Sequence, residues 1–322
     1  MDNQKYGFVG NLNQSFPSMV MIDLTEVCNL ACIHCTHPVF KNSESYGKRM
    51  LDKELNKKMV SEVKSYGKSV TKYIRYTSNG EPLVHPKSYE MINDAVANSG
   101  TKVTLTTNGT LLNEKKMNKL LDTGLHMIDI SLDAFYKETY SKVRVGGDLE
   151  VTKKNVLKII EMSKKKSKCK IIVSFVEQKE NSNEIDKFKK FWNQAGADDV
   201  IIRKLHTNSG SNKHNKDENK SLFNDRFPCL YPWERVILNP RGYLSFCPTD
   251  WFGKSEIEHY SNITIKELWS NAFYKVLRDQ HLKCNFEGNE FCKNCPDWKN
   301  TAWPSNKNKS YGDIIERLLL ND

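Results

Sequence analysis

Apolar residues follow two alternating rhythms over the first two thirds of the chain. Short runs rich in Val, Ile, Leu and Met, at 19–24, 70–76, 103–107, 127–132, 171–176 and 200–203, read as buried strands. Between them lie longer stretches with apolar positions three and four apart, at 51–66, 86–98, 113–122, 150–163 and 184–194, which read as helices. Gly100, Gly124 and Gly196 stand just past three of these helices, where a left-handed end favours glycine. Six βα-type repeats predict a parallel sheet with helices outside, and six strands are too few for a closed eight-stranded barrel. The expected fold class is therefore α/β, a partial (β/α)6 TIM-like barrel over residues 1–205.

The pattern changes after residue 205. Residues 206–226 are almost wholly polar up to Ser221 and read as a linker or mobile loop. Residues 227–304 form a second, smaller region. Its runs 233–238 and 243–246, around Asn239-Pro240-Arg241-Gly242, predict a β-hairpin. Residues 265–280 predict one amphipathic helix with Leu268, Trp269, Phe273, Val276 and Leu277 on one side. In the tail, 305–322, residues 311–320 predict a last helix that packs back on the protein. No internal repeat is visible beyond the βα alternation.

The 322 residues suit one large domain with a smaller appendage. The longest apolar runs, such as 314–320, are far too short to span a bilayer. The N-terminus shows no signal peptide, so a cytoplasmic, reducing location is expected, where nine cysteines act as ligands or free thiols rather than disulfides. The net charge of +10 is spread over helical stretches such as 153–170, mixed with Glu and Ser, and reads as a solvated surface. It also suits an acidic substrate or an acidic reducing partner such as flavodoxin or ferredoxin. Neither a basic recognition helix nor an aromatic-studded sheet appears, which argues against nucleic acid.

The cysteines change the picture most. Cys28-Asn29-Leu30-Ala31-Cys32-Ile33-His34-Cys35 follows the first strand and carries three thiols in eight residues. Soft thiolates select iron–sulfur clusters, zinc or Cu(I). Structural zinc wants four closed ligands, and a [4Fe–4S] cubane also has four corners, so three cysteines leave one iron open to a small molecule. The stretch resembles the CxxxCxxC signature of the radical S-adenosylmethionine (SAM) enzymes. That resemblance implies a cluster on Cys28, Cys32 and Cys35 whose open iron chelates SAM and whose electron splits it into methionine and a 5′-deoxyadenosyl radical.

In parallel α/β folds, ligands bind at the carboxyl ends of the strands. After the second strand comes Ser78-Asn79-Gly80-Glu81-Pro82, similar to the family's Gly-Gly-Glu segment that holds the SAM amino group, with Asn79 in place of the first Gly. Gly80 would let the backbone pass close to the ligand and Glu81 would accept from its ammonium. Asn108, Ser131 and Asp133, at later strand ends, match positions that meet the ribose and the carboxylate. Arg144 matches a carboxylate-binding arginine, apt because its planar fork is bidentate. His34 stands where the family carries an aromatic against adenine.

Cys229, Cys247, Cys292 and Cys295 form a second set, able to close a zinc or [4Fe–4S] site. They resemble the twitch form of the family's SPASM extension, which carries one auxiliary [4Fe–4S] cluster; residues 296–322 contain no cysteine for a further one. The implied cofactors are SAM and two [4Fe–4S] clusters. The order of hairpin, Leu-Trp helix and Cys-Lys-Asn-Cys is similar to that of the 2-deoxy-scyllo-inosamine dehydrogenases of butirosin biosynthesis, a branch of that family. Cys169 precedes a strand and is expected at the barrel's bottom, away from chemistry. Cys284 is open to three readings: buried packing, a catalytic hydrogen-atom donor, or an alternative ligand.

The resemblance implies a radical SAM oxidoreductase acting on a small polar, sugar- or aminocyclitol-like substrate. The alternative is a maturase or epimerase of a ribosomal peptide. The loop's start at residue 28 leaves no room for the N-terminal peptide-recognition domain such enzymes often carry.

Overall fold

The computed structural model describes residues 15–77, 79–211, 226–301 and 311–320. Most of the expected linker (212–225), Ser78, and residues 305–310 and 321–322 of the tail lie outside the described residues. In chain order the elements are β1 (Met19–Asp23), α1 (His37–Lys41), α2 (Lys53–Glu62), β2 (Tyr73–Thr77), α3 (Ser88–Asn98), β3 (Lys102–Thr107), α4 (Glu114–Asp122) and β4 (Met127–Ser131). There follow α5 (Lys137–Val143), α6 (Leu149–Lys166), β5 (Lys170–Glu177), α7 (Ile185–Gln194) and β6 (Asp199–Lys204). The second region holds α8 (Tyr231–Glu234), β7 (Arg235–Leu238), β8 (Tyr243–Ser245), β9 (Glu256–His259), α9 (Ile265–Ser270), α10 (Ala272–Lys283) and α11 (Glu290–Lys293), and α12 (Tyr311–Ile315) lies beyond it.

The strands form one sheet in the order β6-β5-β4-β3-β2-β1-β7-β8-β9. β1 to β6 are parallel neighbours, the expected partial barrel. The second region is not a detached hairpin: β7 pairs parallel with β1, Ile22 beside Leu238, and β8 and β9 continue antiparallel. The edge that a closed barrel would seal is thus capped by the cysteine-bearing hairpin.

Alternation sorts the strand residues onto two faces. Val20, Ile22, Ile74, Val103, Leu105, Ile128 and Ile130 join the main core with Met59, Val60, Leu120 and Ile159 of the helices. Met19, Met21, Tyr73, Met127, Ile172 and Ile237 point the other way and meet Ile314, Ile315 and Leu319. The last helix therefore packs against the inner face at the strands' amino-terminal ends. Strands buried on both sides read as unbroken apolar runs, which is why they are easy to see in the sequence.

Helix starts follow their caps. Asp52, Asn113 and Asp148 accept from the first-turn N–H groups of α2, α4 and α6. Two such caps correct the expected single helix over 265–280. Thr264 and Glu267 make a capping box on α9, and Asn271, extended at ψ 175°, accepts from Tyr274 N to start α10. The break turns Phe273 and Val276 to solvent, 40% and 57% exposed, while Leu268, Trp269 and Leu277 stay buried. Residues 233–234, expected as strand, end α8, and the strand begins at Arg235. β9, α5 and α1 were not legible; Phe40 of α1 packs against Tyr46, Trp251 and Phe252. Where the polar stretch after β6 is described, it is tied down: Asp297 accepts from Thr207 N and Oγ1 and from Ser209 N. Among the described residues no helix is long and apolar enough to cross a membrane.

Candidate metal centres

The carboxyl ends of β1 to β4 open into a cavity of about 200 Å³ whose wall includes Cys28, Cys32 and Cys35. The loop that carries them is pinned from outside. Ala31 N donates to Val145 O (2.8 Å) and Ile33 N to Val143 O (3.1 Å), tying it to the end of α5. Asn29 donates to Thr110 Oγ1 (2.8 Å) and accepts from Asn108 Nδ2 (3.0 Å). Leu30 N and His37 N donate to the sulfurs of Cys28 and Cys35. Burial pushes the Cys28 thiol up to about 11 and Cys35 up to about 12, and raises Cys32; for Cys35 the two neighbouring sulfurs push further the same way.

Three thiols that repel one another as anions in a buried place need a cation to stay ionised. Thiolates around one zinc stand roughly 3.8 Å apart, and among the described residues no three His, Cys, Asp or Glu side chains close to single-ion spacing. Three soft thiolates suit a cubane with one corner left over.

Glu81 is buried in the same wall, but the protein already uses most of its capacity. It accepts from Thr107 Oγ1 (2.6 Å), Asn108 N (2.8 Å) and Leu83 N (3.1 Å). Burial raises its pKa and these donors pull it back. An ionised carboxylate has about four acceptor sites, so about one remains for a ligand. Glu81→Gln should therefore weaken SAM binding and folding together, because an amide N–H₂ would face a donor. A lost hydrogen bond to a charged group costs on the order of 1.5–3 kcal/mol. Calorimetry and thermal unfolding should both register it; a fall in SAM affinity at unchanged Tm would return Glu81 to direct contact alone.

Gly80 also has a reason within the fold. A Cβ there would lie 2.4 Å from Val27 O and 2.6 Å from Thr25 O, so the close approach is to the backbone leading into Cys28. Asn79 and Ser131 line the cavity; Asn79 donates to Asp250 O (3.3 Å), and Ser131 Oγ lies 3.4 Å from Ser174 Oγ. Asn108 lines it too, with its side chain committed to Asn29 and Thr110.

Arg144, buried, reaches the wall, and its Nε and Nη2 both donate to Asp133 Oδ2 (2.7 and 2.5 Å). Asp133 itself is fully buried at φ +63° and also accepts from Val176 N (2.6 Å). It stands behind Arg144 rather than on the wall, departing from its expected contact with ribose or carboxylate: it aims the arginine. Burial drives His34 down to about 4, leaving it neutral. Gln178 donates to its Nδ1 (3.2 Å), and its Nε2 lies 3.4 Å from Asp133.

Cys229, Cys247, Cys292 and Cys295 come together around a second cavity, from the loop before α8, the end of β8, α11 and the residues after it. Burial raises all four thiols, with repulsion from neighbouring sulfurs adding to Cys229, Cys247 and Cys292. All nine cysteines are free, so no disulfide competes. This closed set of four also fits a cubane. Cys169 is buried where β5 begins, as expected. Cys284 is exposed at the left-handed end of α10, its thiol donating to Arg226 O (3.2 Å), and it lines neither cavity. That position departs from a hydrogen donor at the substrate.

Several charged residues went unread. Asp23, Arg75, Asp129 and Arg203 sit at alternate, inward positions of the strands. Arg203 and Arg75 reach Asp129 Oδ2 at 2.6 and 3.6 Å. Asp23, wholly buried, is pushed up to about 7 by burial, with the Asn79 backbone, Arg75 and Arg241 pulling the other way. It lines a small cavity that shares Asn79 with the first site and Cys247 with the second. The visible signal was a charge inside an apolar run, at the end of the strand where ligands bind.

Known proteins agree with this layout. The radical SAM superfamily model matches residues 22–191, more than half of the chain, and the model of the SPASM iron–sulfur cluster-binding domain matches residues 229–296. A probable GTP 3′,8-cyclase of Methanococcus maripaludis is 38% identical over 141 residues, 44% of this chain and 45% of the relative. An AdoMet-dependent heme synthase of Methanosarcina barkeri is 33% identical over 128 residues, 40% of this chain and 34% of the relative. The chain thus spans half or less of the length of these curated relatives. In fold it is similar to BtrN in complex with AdoMet and 2-DOIA, with a TM-score of 0.60 at 16% identity over 87% of this chain and 92% of that one. It is also similar to Streptococcus suis SuiB bound to precursor peptide SuiA, with a TM-score of 0.68 at 14% identity over 85% and 70%. The chain belongs to the radical SAM superfamily, with a barrel for SAM and one [4Fe–4S] cluster and a SPASM domain for an auxiliary cluster.

Proposed function

We propose that this enzyme oxidises a small polar, sugar- or aminocyclitol-like substrate by two electrons. The observation that carries the reading is the place of Asp23, whose cavity of about 20 Å³ adjoins the first thiol site through Asn79 and the second through Cys247. Cys28, Cys32 and Cys35 would hold the cluster that, when bound and reduced by a flavodoxin- or ferredoxin-like partner, supplies the electron that splits SAM. Cys229, Cys247, Cys292 and Cys295 would hold the second, which supplies an acceptor for the substrate's remaining electron. Arg144, aimed by Asp133, keeps N–H groups for the SAM carboxylate. Ser131 would offer a hydroxyl to the ribose, the Asn79-Gly80 backbone would meet the amino group, and His34, neutral, would offer a flat ring to adenine.

A substrate carbon that gives up a hydrogen atom must next lose an electron and a proton to become a carbonyl. Asp23 is the base assigned to the proton. With its carboxyl pushed up to about 7, its basic form grows as pH rises through that value. Arg75 and Arg241 face it, and Glu26 lines the same cavity. Epimerisation instead needs a thiol beside the substrate, and Cys284 is on the surface.

Turnover in deuterium oxide separates the two outcomes. Oxidation gives a product lighter by two hydrogens, formed faster as pH rises through about 7, and Asp23→Asn makes 5′-deoxyadenosine with little product. A product of unchanged formula carrying one carbon-bound deuterium would overturn oxidation. The likeness to SuiB favours a second reading, a peptide substrate; the same mass measurement on a peptide would show it.

A further inference from the structure

We propose that Arg226 sets the reduction potential of the auxiliary cluster, an assignment that rests on the four-cysteine reading above. Arg226 is 8% exposed and lines the cavity of the four thiols. Its Nη1 and Nη2 donate to the carbonyls of Lys293 (3.1 Å) and Cys292 (2.7 Å), and its guanidinium lies 4.1 Å from the centre of the Phe286 ring. These contacts fix a flat cation against the Cys292-Cys295 turn. Its Nε–H is buried and has no hydrogen-bond partner.

A buried guanidinium ordinarily sits on a carboxylate. The charged groups acting on Arg226 are instead sulfurs, those of Cys295, Cys292, Cys229 and Cys284. Asp297 lines the same cavity, but its carboxylate takes the donors of Thr207 and Ser209. The anion that balances Arg226 is therefore the thiolate set itself, with the Nε–H left as a donor to sulfur. Four thiolates around a cubane give a net negative site that becomes more negative by one charge on reduction. A fixed cation and an N–H donor beside it stabilise the reduced form more, and net charge and hydrogen bonds to sulfur are what set such potentials. Arg226 thus makes the auxiliary cluster a better electron acceptor, the direction that substrate oxidation needs.

The test is a potentiometric titration of the reconstituted full-length enzyme, following by electron paramagnetic resonance the cluster signal that added SAM leaves unchanged. Two neutral replacements, Arg226→Gln and Arg226→Met, are titrated beside Arg226→Lys. At the wild-type midpoint the neutral variants should show a reduced-to-oxidised ratio about tenfold lower, equivalent to 59 mV for one electron, and Arg226→Lys should recover most of it. A wild-type midpoint in a neutral variant that keeps its iron overturns the proposal. Loss of the auxiliary irons from both neutral variants, with Arg226→Lys intact near the wild-type midpoint, supports the charge; loss from all three makes Arg226 a packing residue and overturns it. Iron counting of the wild type comes first, so a missing auxiliary cluster is seen as a failure of the four-cysteine reading.

Discussion

Replacing Cys28, Cys32 and Cys35 with Ala should cut the iron of the reconstituted protein from about eight atoms per chain to about four and abolish 5′-deoxyadenosine formation, since each cubane carries four irons. The three thiols share one wall of one cavity, and the four others close a separate one. The loss should therefore be confined to one set. Cys292→Ala with Cys295→Ala should do the reverse: about four irons remain, SAM is still cleaved, and oxidised product disappears. The pair of variants divides initiation from oxidation. About four irons with one zinc in the unaltered protein would end the auxiliary-cluster assignment and, with it, the role given to Arg226.

The barrel was legible because its strands are buried on both faces, so runs such as Met19–Asp23 and Lys170–Glu177 stand out against amphipathic helices. The cysteine sets were legible because their spacing is local. What escaped was whatever depends on a partner far along the chain. β9, Glu-Ile-Glu-His, has no apolar rhythm of its own and is a strand because β8 pairs with it. The split of α9 from α10 turns on a single Asn that caps better than it continues. Asp133 and Arg144 were each visible as polar residues near strand ends, but that one is spent on aiming the other appears only when α5 brings them to 2.5 Å. Arg226 lies three residues before Cys229, where the sequence shows only the end of a polar stretch.

The same long-range logic ties the fold to the chemistry. β1 lies between β2 and β7 in the sheet. Its end feeds the first cysteine loop, and β7 and β8 lead to Cys247. The two thiol sets are thus held by neighbouring strands, with Asp23 at the end of β1 between them. No linker has to set their separation, so the distance between the two thiol sets is fixed by the sheet.

Gly80→Ala should be among the most damaging single changes outside the cysteines. The added methyl would meet Val27 O at 2.4 Å, Thr25 O at 2.6 Å and Val27 C at 2.9 Å, all main-chain atoms that cannot rotate away. The two strands cannot shift to relieve it either, because β1 is paired on both sides and Glu81 N is bonded to Val27 O (2.8 Å). The strain must be taken by the loop that begins at Cys28 or by the Glu81 hydrogen bonds that hold the β3 loop. Overpacking of this kind costs typically 1–3 kcal/mol, which lowers Tm. Displacing Cys28 should also lower iron toward about four atoms per chain. Gly100→Ala is the control: its φ is +73° and nothing lies within 4 Å of the new methyl. It should pay only the backbone cost of a left-handed residue, about 1 kcal/mol, and keep all its iron. Equal iron in the two variants would show that the close approach of Gly80 to the cysteine loop does not govern the cluster site.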